Sequence, residues 1–289
     1  MSDTGERTQL LAAAEEHDGF AAFSEAFVRG LERGDERGAG HQHLERRVDG
    51  ALVGLAALAP DGSAELVVHP DARRRGLGKD LAAEVLRINP AAGLWAHGNL
   101  PGAQATASSL GLVPTRELYV MEISGEALIQ AADVRLPEGV EALPYPEAVE
   151  RYGVESVEQQ WLEVNNDAFS WHPEQGGWDL KRLRDATGAA WYSPEGVWFL
   201  YEDGDMAGFH WTKQHSAGVG EVYVVGLSSA VRGRGLGTPV MGVGLKHLVG
   251  AGVNKVILYV ESDNERAVRR YRALGFRVSE SHVVYAIPE

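Results

Sequence analysis

The chain has 289 residues, of which 44% are hydrophobic and 24% are charged, so we expect about two ordered domains rather than global disorder. Its net charge of -14 disfavours nucleic acid and anionic membrane surfaces as partners. It contains no cysteine, which excludes disulfides, thiolate metal sites and cysteine nucleophiles.

The N-terminal segment, residues 1–20, lacks the basic region and apolar run of a secretory signal. No window approaches the roughly 18 uninterrupted apolar residues of a membrane span. We therefore expect a cytoplasmic protein that does not enter a membrane.

The first half alternates apolar segments with polar turns. Strands are predicted over 51–60, 63–70, 93–98 and 116–123, with a helix after a glycine-rich loop. The charged runs 36–37 and 45–47 are interpreted as solvated helix faces. His41 and His43 are assigned to a polar loop, and no metal site is predicted, because no His-Glu-x-x-His pattern occurs.

The segment 136–148 carries three prolines and a turn signal, which is typical of a linker. It separates a predicted N-terminal domain, 1–132, from a C-terminal domain, 140–289. In the second half, strands are predicted over 196–204, 206–215, 220–228 and 254–263, and a helix over 265–275. Such alternation predicts an α/β fold in which helices cover a mixed sheet.

The two halves contain similar segments. VVHPDARRRGLGKDLAAEVL lies at 67–86, and VGLSSAVRGRGLGTPVMGVGL lies at 225–245. Both read as a strand, a polar loop with Arg-x-x-Gly-x-Gly, and a helix. A second shared segment follows in each half, where Ser109–Leu112 resembles Ala273–Phe276 and both contain Leu-Gly, at Gly111 and Gly275. Two landmarks in the same order indicate a duplicated domain.

A glycine loop between a strand and a helix can cradle a phosphate, because backbone N–H groups approach the anion and arginine adds charge. One such loop could also be only a tight turn, but two copies favour a ligand. The loops do not match the dinucleotide-binding Gly-x-Gly-x-x-Gly pattern, and neither contains the lysine of a Walker motif.

The second half resembles the GNAT N-acetyltransferases in three places: Arg232–Gly237, Tyr259–Asn264 and Leu274–Phe276. The resemblance extends to the first half through Arg73, Gly76 and Gly78. The resemblance implies two tandem GNAT domains that bind acetyl-CoA. It implies these cofactor-binding residues: Leu66, Val67, Val68, Arg74, Arg75, Gly76, Leu77, Gly78, Lys79, Val225, Gly226, Leu227, Arg232, Gly233, Arg234, Gly235, Leu236, Gly237, Thr238, Asn264, Glu265, Arg266, Ala267, Val268 and Arg269.

Within the GNAT enzymes, the segments 164–169, 172–178 and 208–213 resemble the mycothiol synthase family, over nearly the whole chain. Members of that family transfer the acetyl group of acetyl-CoA to the cysteinyl amine of a cysteine–glucosamine–inositol conjugate. The resemblance therefore implies a small aminosugar–inositol substrate. It implies contacts to that substrate from Glu25, Glu174, Lys213, Glu221 and Tyr259.

Acetyl transfer to an amine needs a base, donors for an oxyanion and an acid for the leaving thiolate. Glu221 is predicted to share a strand face with Tyr223 and Val225 and so to face the thioester. It could be only an edge carboxylate, but the resemblance favours a catalytic base. Tyr271, which could equally be a core residue, is the candidate acid, and backbone N–H groups near Val225 are the candidate oxyanion donors.

In the first half, Gly62 and Ala107 stand at the positions of Glu221 and Tyr271. We therefore expect the first domain to bind acetyl-CoA without turning it over.

Two other functions stay open. The chain could acetylate a different amine, such as an aminoglycoside or a peptide N-terminus, or it could be a non-catalytic acyl-CoA sensor. A monomer is expected, because two domains of one chain could supply a complete pocket.

Overall fold

The structure is a computed structural model that describes residues 3–33, 40–171, 175–215 and 218–288. The chain forms two compact units. Unit 1 comprises residues 1–119, 261–263 and 280–289, and unit 2 comprises 120–260 and 264–279. The predicted domain limits, 1–132 and 140–289, stay a prediction.

Unit 1 contains four helices and four complete strands in its described part. They are α1 (Asp3–Asp18), α2 (Glu25–Arg33), β1 (Gln42–Val48), β2 (Ala51–Leu58), β3 (Ser63–Val68), α3 (Leu77–Ile88), β4 (Gly93–Ala96) and α4 (Pro101–Ser109). Two further strands, β5 (Val113–Ser124) and β11 (Arg277–Ala286), contribute residues to both units.

The sheet of unit 1 has helices on both faces. Its strand order is β1-β2-β3-β4-β11, in which only the β3–β4 pair is parallel. On one face, Leu81 and Val85 of α3 are fully buried, and on the other Phe23 and Phe27 pack near α1. Burial of these apolar side chains stabilises the unit.

Unit 2 follows with six helices and four complete strands in its described part, and with a fifth strand that lacks only its last residue, Glu261, which belongs to unit 1. They are α5 (Gly125–Ala132), β6 (Val140–Pro144), α6 (Tyr145–Tyr152), α7 (Val154–Ala168), α8 (Leu180–Thr187), β7 (Val197–Glu202), β8 (Asp205–Gln214), β9 (Val219–Leu227), α9 (Gly237–Gly250), β10 (Lys255–Glu261) and α10 (Glu265–Ala273). Their sheet order is β10-β9-β8-β7-β6, with only β10–β9 parallel.

Two cores lie on opposite faces of this second sheet. An aromatic core that includes Trp161, Phe199 and Trp211 packs under α6, α7 and α8. A smaller aliphatic core that includes Leu200 and Val240 packs under α9. The mixed α/β fold predicted from the sequence is therefore confirmed.

Three local predictions are wrong. The charged run 45–47, expected on a helix, lies in the edge strand β1, where Arg46 pairs with Glu84 at 2.6 Å. His43, expected in a loop, lies in the same strand. Charged residues suit an edge strand because they oppose pairing with another chain, and a short charged run has no periodicity that separates strand from helix.

The segment 136–148, expected as a linker, contains strand β6 and the beginning of α6. Pro144 is the last residue of this edge strand and Pro146 lies in the first turn of the helix, two positions where a missing N–H costs little. The residues 36–37 lie outside the described segments. Among the helices of the described segments, none is both long and apolar enough to cross a membrane.

In each unit the parallel strands separate partway along. The β3–β4 pairing ends at Glu65 opposite Trp95, and the β9–β10 pairing ends at Val222 opposite Leu258. Beyond these pairs, the described residues of the two strands do not pair with each other. Each separation exposes backbone N–H and C=O groups that a ligand can bind.

Candidate active site

The glycine loop of unit 2 has the backbone needed to cradle an anion. Gly233 and Gly235 have φ of 82° and 86°, a region that favours glycine, and α9 begins two residues later at Gly237. A Cβ at either of the first two glycines would meet nothing within 4 Å. The loop is therefore open in front of the helix N-terminus, where a phosphate binds favourably.

Two arginines of this loop contact other parts of unit 2. Both terminal nitrogens of Arg234 donate to the carboxylate of Glu202, at 2.7 and 2.8 Å. Arg232 donates to the backbone oxygen of Asp167 at 3.2 Å. The Asp167 carboxylate accepts from the backbone N–H of Ser229, which holds the pKa of Asp167 below its usual value. These contacts fix the loop against β7 and α7.

Arg270 is a positive group at the loop that the sequence motifs did not identify. Its guanidinium lies against the start of α9, because a Cβ at Gly237 would meet it at 2.3 Å. It donates to the hydroxyl of Thr238 over 3.4 Å, and it makes no ion pair within the described residues. Arg270 is in α10, and no signal in the sequence links that helix to this loop.

The predicted cofactor residues of α10 divide by exposure. Asn264 caps the helix by accepting from the N–H of Ala267 at 3.2 Å. Val268 is buried, whereas Glu265 and Arg269 form an exposed pair one helical turn apart. Arg266 is also exposed. The helix thus offers a cofactor mainly its first turn and its polar face.

Glu221 is a buried carboxylate in β9, beside the point where β9 and β10 separate. Its neighbours across the sheet are Lys213 in β8 and Ile257 in β10. Its Oε2 lies 2.7 Å from Nε2 of His215, and its Oε1 makes no hydrogen bond within the described part of the chain. One oxygen of a buried carboxylate is therefore available to a ligand.

The prediction that Glu221 shares a strand face with both Tyr223 and Val225 is partly wrong. The β8–β9 pairing has a bulge at Tyr223, because Trp211 pairs with Val224 and the next pair is Thr212 with Val222. Tyr223 packs in the aromatic core with Trp211, while Val225 packs in the opposite, aliphatic core. A bulge breaks the alternation of side chains, so Glu221 shares a face with Tyr223 but not with Val225.

Two more predicted substrate residues lie on the face of Glu221. Lys213 is directly opposite it, with its ammonium 5.0 Å from the ring centre of Trp191. Tyr259 is half-exposed and follows Ile257 by two residues, on the same side of β10. The structure therefore brings Lys213, Glu221 and Tyr259 to one face of the unit 2 sheet.

The remaining two predicted substrate residues cannot be joined to this group. Glu174 lies outside the described residues. Glu25 belongs to unit 1, where it is the exposed first residue of α2.

Tyr271, the candidate acid, lies on α10 in unit 2. Its side chain is partly buried, and its ring centre is 5.9 Å from that of Phe276. Burial raises the pKa of the Tyr271 phenol to about 12. The hydroxyl thus keeps its proton at neutral pH, which is the form that an acid requires.

Unit 1 contains a cavity of about 440 Å³ where β3 and β4 separate. A volume of this size suits a small ligand or part of a cofactor. Predicted cofactor residues from β3 and the glycine loop line it: Leu66, Val67, Val68, Arg74, Gly76, Leu77, Gly78 and Lys79. The residues present therefore fit an elongated, partly apolar group with a phosphate at one end.

Arg73, which opens this loop, donates to both carboxylate oxygens of Asp18 at 2.7 Å. Gly62 forms the turn before β3, and Ala107 is buried in α4 and lines the cavity. Neither residue carries a group that could exchange a proton.

The sequence patterns did not identify Glu65, a buried glutamate in unit 1. Glu65 is 2% exposed, and its two oxygens contact the backbone N–H of Ser24 at 2.8 Å and Nε2 of His97 at 2.9 Å. Nδ1 of His97 lies 3.0 Å from Nδ1 of His282 in β11. Burial lowers the pKa of His282 to about 4. The described residues include no group of three or more side chains placed to hold a metal ion.

The family model for acetyltransferases of the GNAT family matches the sequence twice, over residues 8–107 and 159–276. The two matches correspond to the two glycine loops.

Related proteins match nearly the whole chain. A mycothiol acetyltransferase of Corynebacterium efficiens is 50% identical over 93% of this chain and 87% of its own length. The mycothiol acetyltransferase of Mycolicibacterium vanbaalenii is 42% identical over 96% of this chain and 92% of its own length.

Solved structures share the fold. A GCN5-related N-acetyltransferase from Sphaerobacter thermophilus has a TM-score of 0.69 and 21% identity, covering 98% of this chain and 92% of its own. A tandem GNAT protein from the clavulanic acid biosynthesis pathway has a TM-score of 0.70 and 19% identity, covering 98% of this chain and 93% of its own. At this identity the likeness concerns the fold alone.

Proposed function

The chain belongs to the mycothiol acetyltransferases of the GNAT family, and we propose that unit 2 carries out its reaction. The chain is an acetyl-CoA-dependent acyltransferase of mycothiol biosynthesis. Acetyl-CoA supplies the acetyl thioester. The proposed acceptor is the cysteinyl amine of the cysteine–glucosamine–inositol conjugate, and the proposed products are mycothiol and CoA.

The observation that supports this assignment most strongly is the buried carboxylate of Glu221, which lies where β9 and β10 separate and has one oxygen without a hydrogen bond to any described residue. An acceptor amine arrives mainly as an ammonium ion, so a base must remove a proton before the nitrogen can attack. Glu221 takes that proton, directly or through a water molecule.

Three further contributions come from unit 2. The phenol of Tyr271 gives its proton to the leaving thiolate, since its pKa of about 12 keeps it protonated. Backbone N–H groups near Val225 donate to the developing oxyanion. The loop Arg232–Thr238 binds the pyrophosphate of acetyl-CoA, and Arg270 adds a charge there that the sequence motifs did not predict.

The acceptor is bound by carboxylates and by side chains that contact its hydroxyl groups. Lys213 and Tyr259 lie on the face of Glu221, and we assign them to the hydroxyl groups of the sugar–inositol part. Glu25 and Glu174 are proposed to contact the same substrate. We propose that the enzyme acts as a cytoplasmic monomer.

Unit 1 is proposed to hold acetyl-CoA in its cavity without turning it over. The cavity has the glycine loop and apolar walls that suit the cofactor. Gly62 and Ala107, which replace the base and the acid, have no exchangeable side-chain proton.

The test is release of CoA from acetyl-CoA in the presence of the conjugate, quantified by chromatography because the acceptor carries its own thiol. The matched control is the sugar–inositol compound that lacks cysteine. We expect release with the conjugate only, and none from the double variant Glu221→Gln, Tyr271→Phe.

Release with the control compound would contradict the proposed acceptor. Tight acetyl-CoA binding without turnover of the conjugate would favour the sensor function or a different amine. Robust turnover by the double variant that maps to unit 1 would place a second active site there.

A further inference from the structure

His215 contacts the proposed base but was not identified from the sequence. It follows β8 directly, and its backbone N–H donates to the oxygen of Val219 at 2.8 Å, which fixes the residue in the β8–β9 hairpin. Its Nε2 lies 2.7 Å from Oε2 of Glu221. The His215 side chain is 30% exposed and that of Glu221 is 8% exposed. The histidine therefore lies between the buried carboxylate and solvent.

The acceptor role of the proposed base sets the direction of this hydrogen bond. An ionised carboxylate only accepts hydrogen bonds, so Nε2 of His215 carries the hydrogen and donates it. The contact therefore holds Oε2 of Glu221 on the side of His215.

Other groups face Glu221 from the neighbouring strands. Lys213 in β8 is the cationic neighbour, and Ile257 in β10 contributes no polar group. The ammonium of Lys213 lies over Trp191, at 5.0 Å from the ring centre. His215 is the residue for which the structure records a direct hydrogen bond to the carboxylate.

We propose that His215 is a positioning residue for acetyl transfer, which holds Glu221 through Oε2 and turns Oε1 toward the acceptor amine. This inference rests on the function proposed above. Oε1 has no hydrogen bond within the described residues, so the proton from the ammonium binds there and the hydrogen of His215 stays in place. The histidine takes no proton from the substrate and contacts neither the acceptor nor acetyl-CoA.

Two variants that differ by one methylene test the proposal. His215→Gln places an amide N–H near the position of Nε2, whereas His215→Asn places it near Nδ1, too far from Glu221. His215→Ala removes the donor. We expect the Asn and Ala variants to lose roughly 10- to 100-fold in kcat, the effect of one hydrogen bond to a charged group.

The Gln variant should retain most of the wild-type kcat, and all three should keep the wild-type KM for acetyl-CoA. His17→Gln, an exposed histidine of α1, is the control and should match the wild type. A Gln variant as inactive as the Ala variant, with activity restored by added imidazole, would overturn the proposal, because His215 would then transfer a proton itself. Wild-type kcat in the Asn and Ala variants would also overturn it.

A measurement without turnover separates this proposal from the function on which it rests. In the wild type, the Nε2 hydrogen of His215 should give a strongly downfield proton NMR signal. The signal should move upfield in Glu221→Gln, because a neutral amide oxygen is the weaker acceptor. No turnover of the conjugate by the wild type would contradict the proposed function alone. A His215 signal unchanged by Glu221→Gln would overturn the pairing itself.

Discussion

Units 1 and 2 each bury one glutamate in a strand where two parallel strands separate, yet the two carboxylates differ in their partners. Both oxygens of Glu65 are engaged, by Ser24 and by His97. Among the described residues, Glu221 has a hydrogen-bond partner, His215, on one oxygen and none on the other. A fully bonded buried carboxylate is held as part of the fold, whereas one with an available oxygen can take a proton. The duplication thus produced two similar sheets with different chemistry.

The largest expected effect is on the available carboxylate. Glu221→Gln should lower kcat roughly 10²- to 10⁴-fold, because an amide cannot accept the ammonium proton. The KM for acetyl-CoA should stay near the wild-type value. Steady-state CoA release measures both. Wild-type turnover by this variant would show that Glu221 is not the base.

Tyr271→Phe should lower kcat by roughly 10²-fold, at the low end for acid catalysis because a thiolate leaves readily. Since the pKa of Tyr271 is raised to about 12, its proton is present throughout the neutral range, and its ionisation should not reduce wild-type activity below about pH 10. The pH dependence of kcat measures this. A loss of activity between pH 7 and 9 that disappears in Tyr271→Phe would contradict the raised pKa.

Glu65→Gln should affect stability rather than catalysis. Its amide keeps an acceptor for the N–H of Ser24 but places a donor against Nε2 of His97, so the present contact is lost and the imidazole must change tautomer, which costs about 1–3 kcal/mol. Urea unfolding measures the loss, and the folded variant should keep its kcat. Equal stability of the variant and the wild type would show that the buried contacts of Glu65 contribute nothing.

The two glycine loops offer a matched pair of substitutions. In Gly237→Ala the new Cβ would meet the guanidinium of Arg270 at 2.3 Å, so Arg270 must move. In Gly78→Ala the nearest atom is 3.7 Å away, in Val68, which is ordinary contact. We expect the KM for acetyl-CoA to rise roughly tenfold in the first variant, the effect of one charge-assisted contact, and little in the second. Equal KM values in the two variants would contradict a phosphate-binding role for Arg270.

The smallest expected effect is the acid sensitivity of one histidine in each unit. Burial lowers the pKa of His210 in unit 2 and of His282 in unit 1 to about 4. The unfolded chain binds a proton at each site near pH 6.5, so their stabilisation is complete above that pH and is lost as the pH falls toward 4. Each should cost about 1.4 kcal/mol between pH 7.5 and 5.5.

Urea unfolding at the two pH values measures this loss. His210→Asn keeps a donor near Nδ1, which contacts the oxygen of Val240, but removes the titrating group. The loss of unfolding free energy between pH 7.5 and 5.5 should therefore be about 1.4 kcal/mol smaller in this variant than in the wild type. The same pH dependence in the variant and the wild type would contradict the lowered pKa of His210.

The sequence by itself determined the elements with strong local signals. Apolar segments bounded by polar turns predicted β2, β3, β7, β8 and β10, and the glycine loops predicted where α3 and α9 begin. The duplication followed from two repeated landmarks, and Glu221 from a segment that resembles a known family. These features depend on residues close together in the chain, so a pattern within one segment is sufficient to find them.

Only the tertiary structure decided which groups meet. The bulge at Tyr223 turns Val225 to the opposite face, which no alternation rule predicts. His97 lies 32 residues from Glu65 in the chain and 185 residues from His282, yet the structure places it in contact with both. Contacts over such separations depend on strand order and register, because the pairing of distant strands brings together side chains that have no common local pattern.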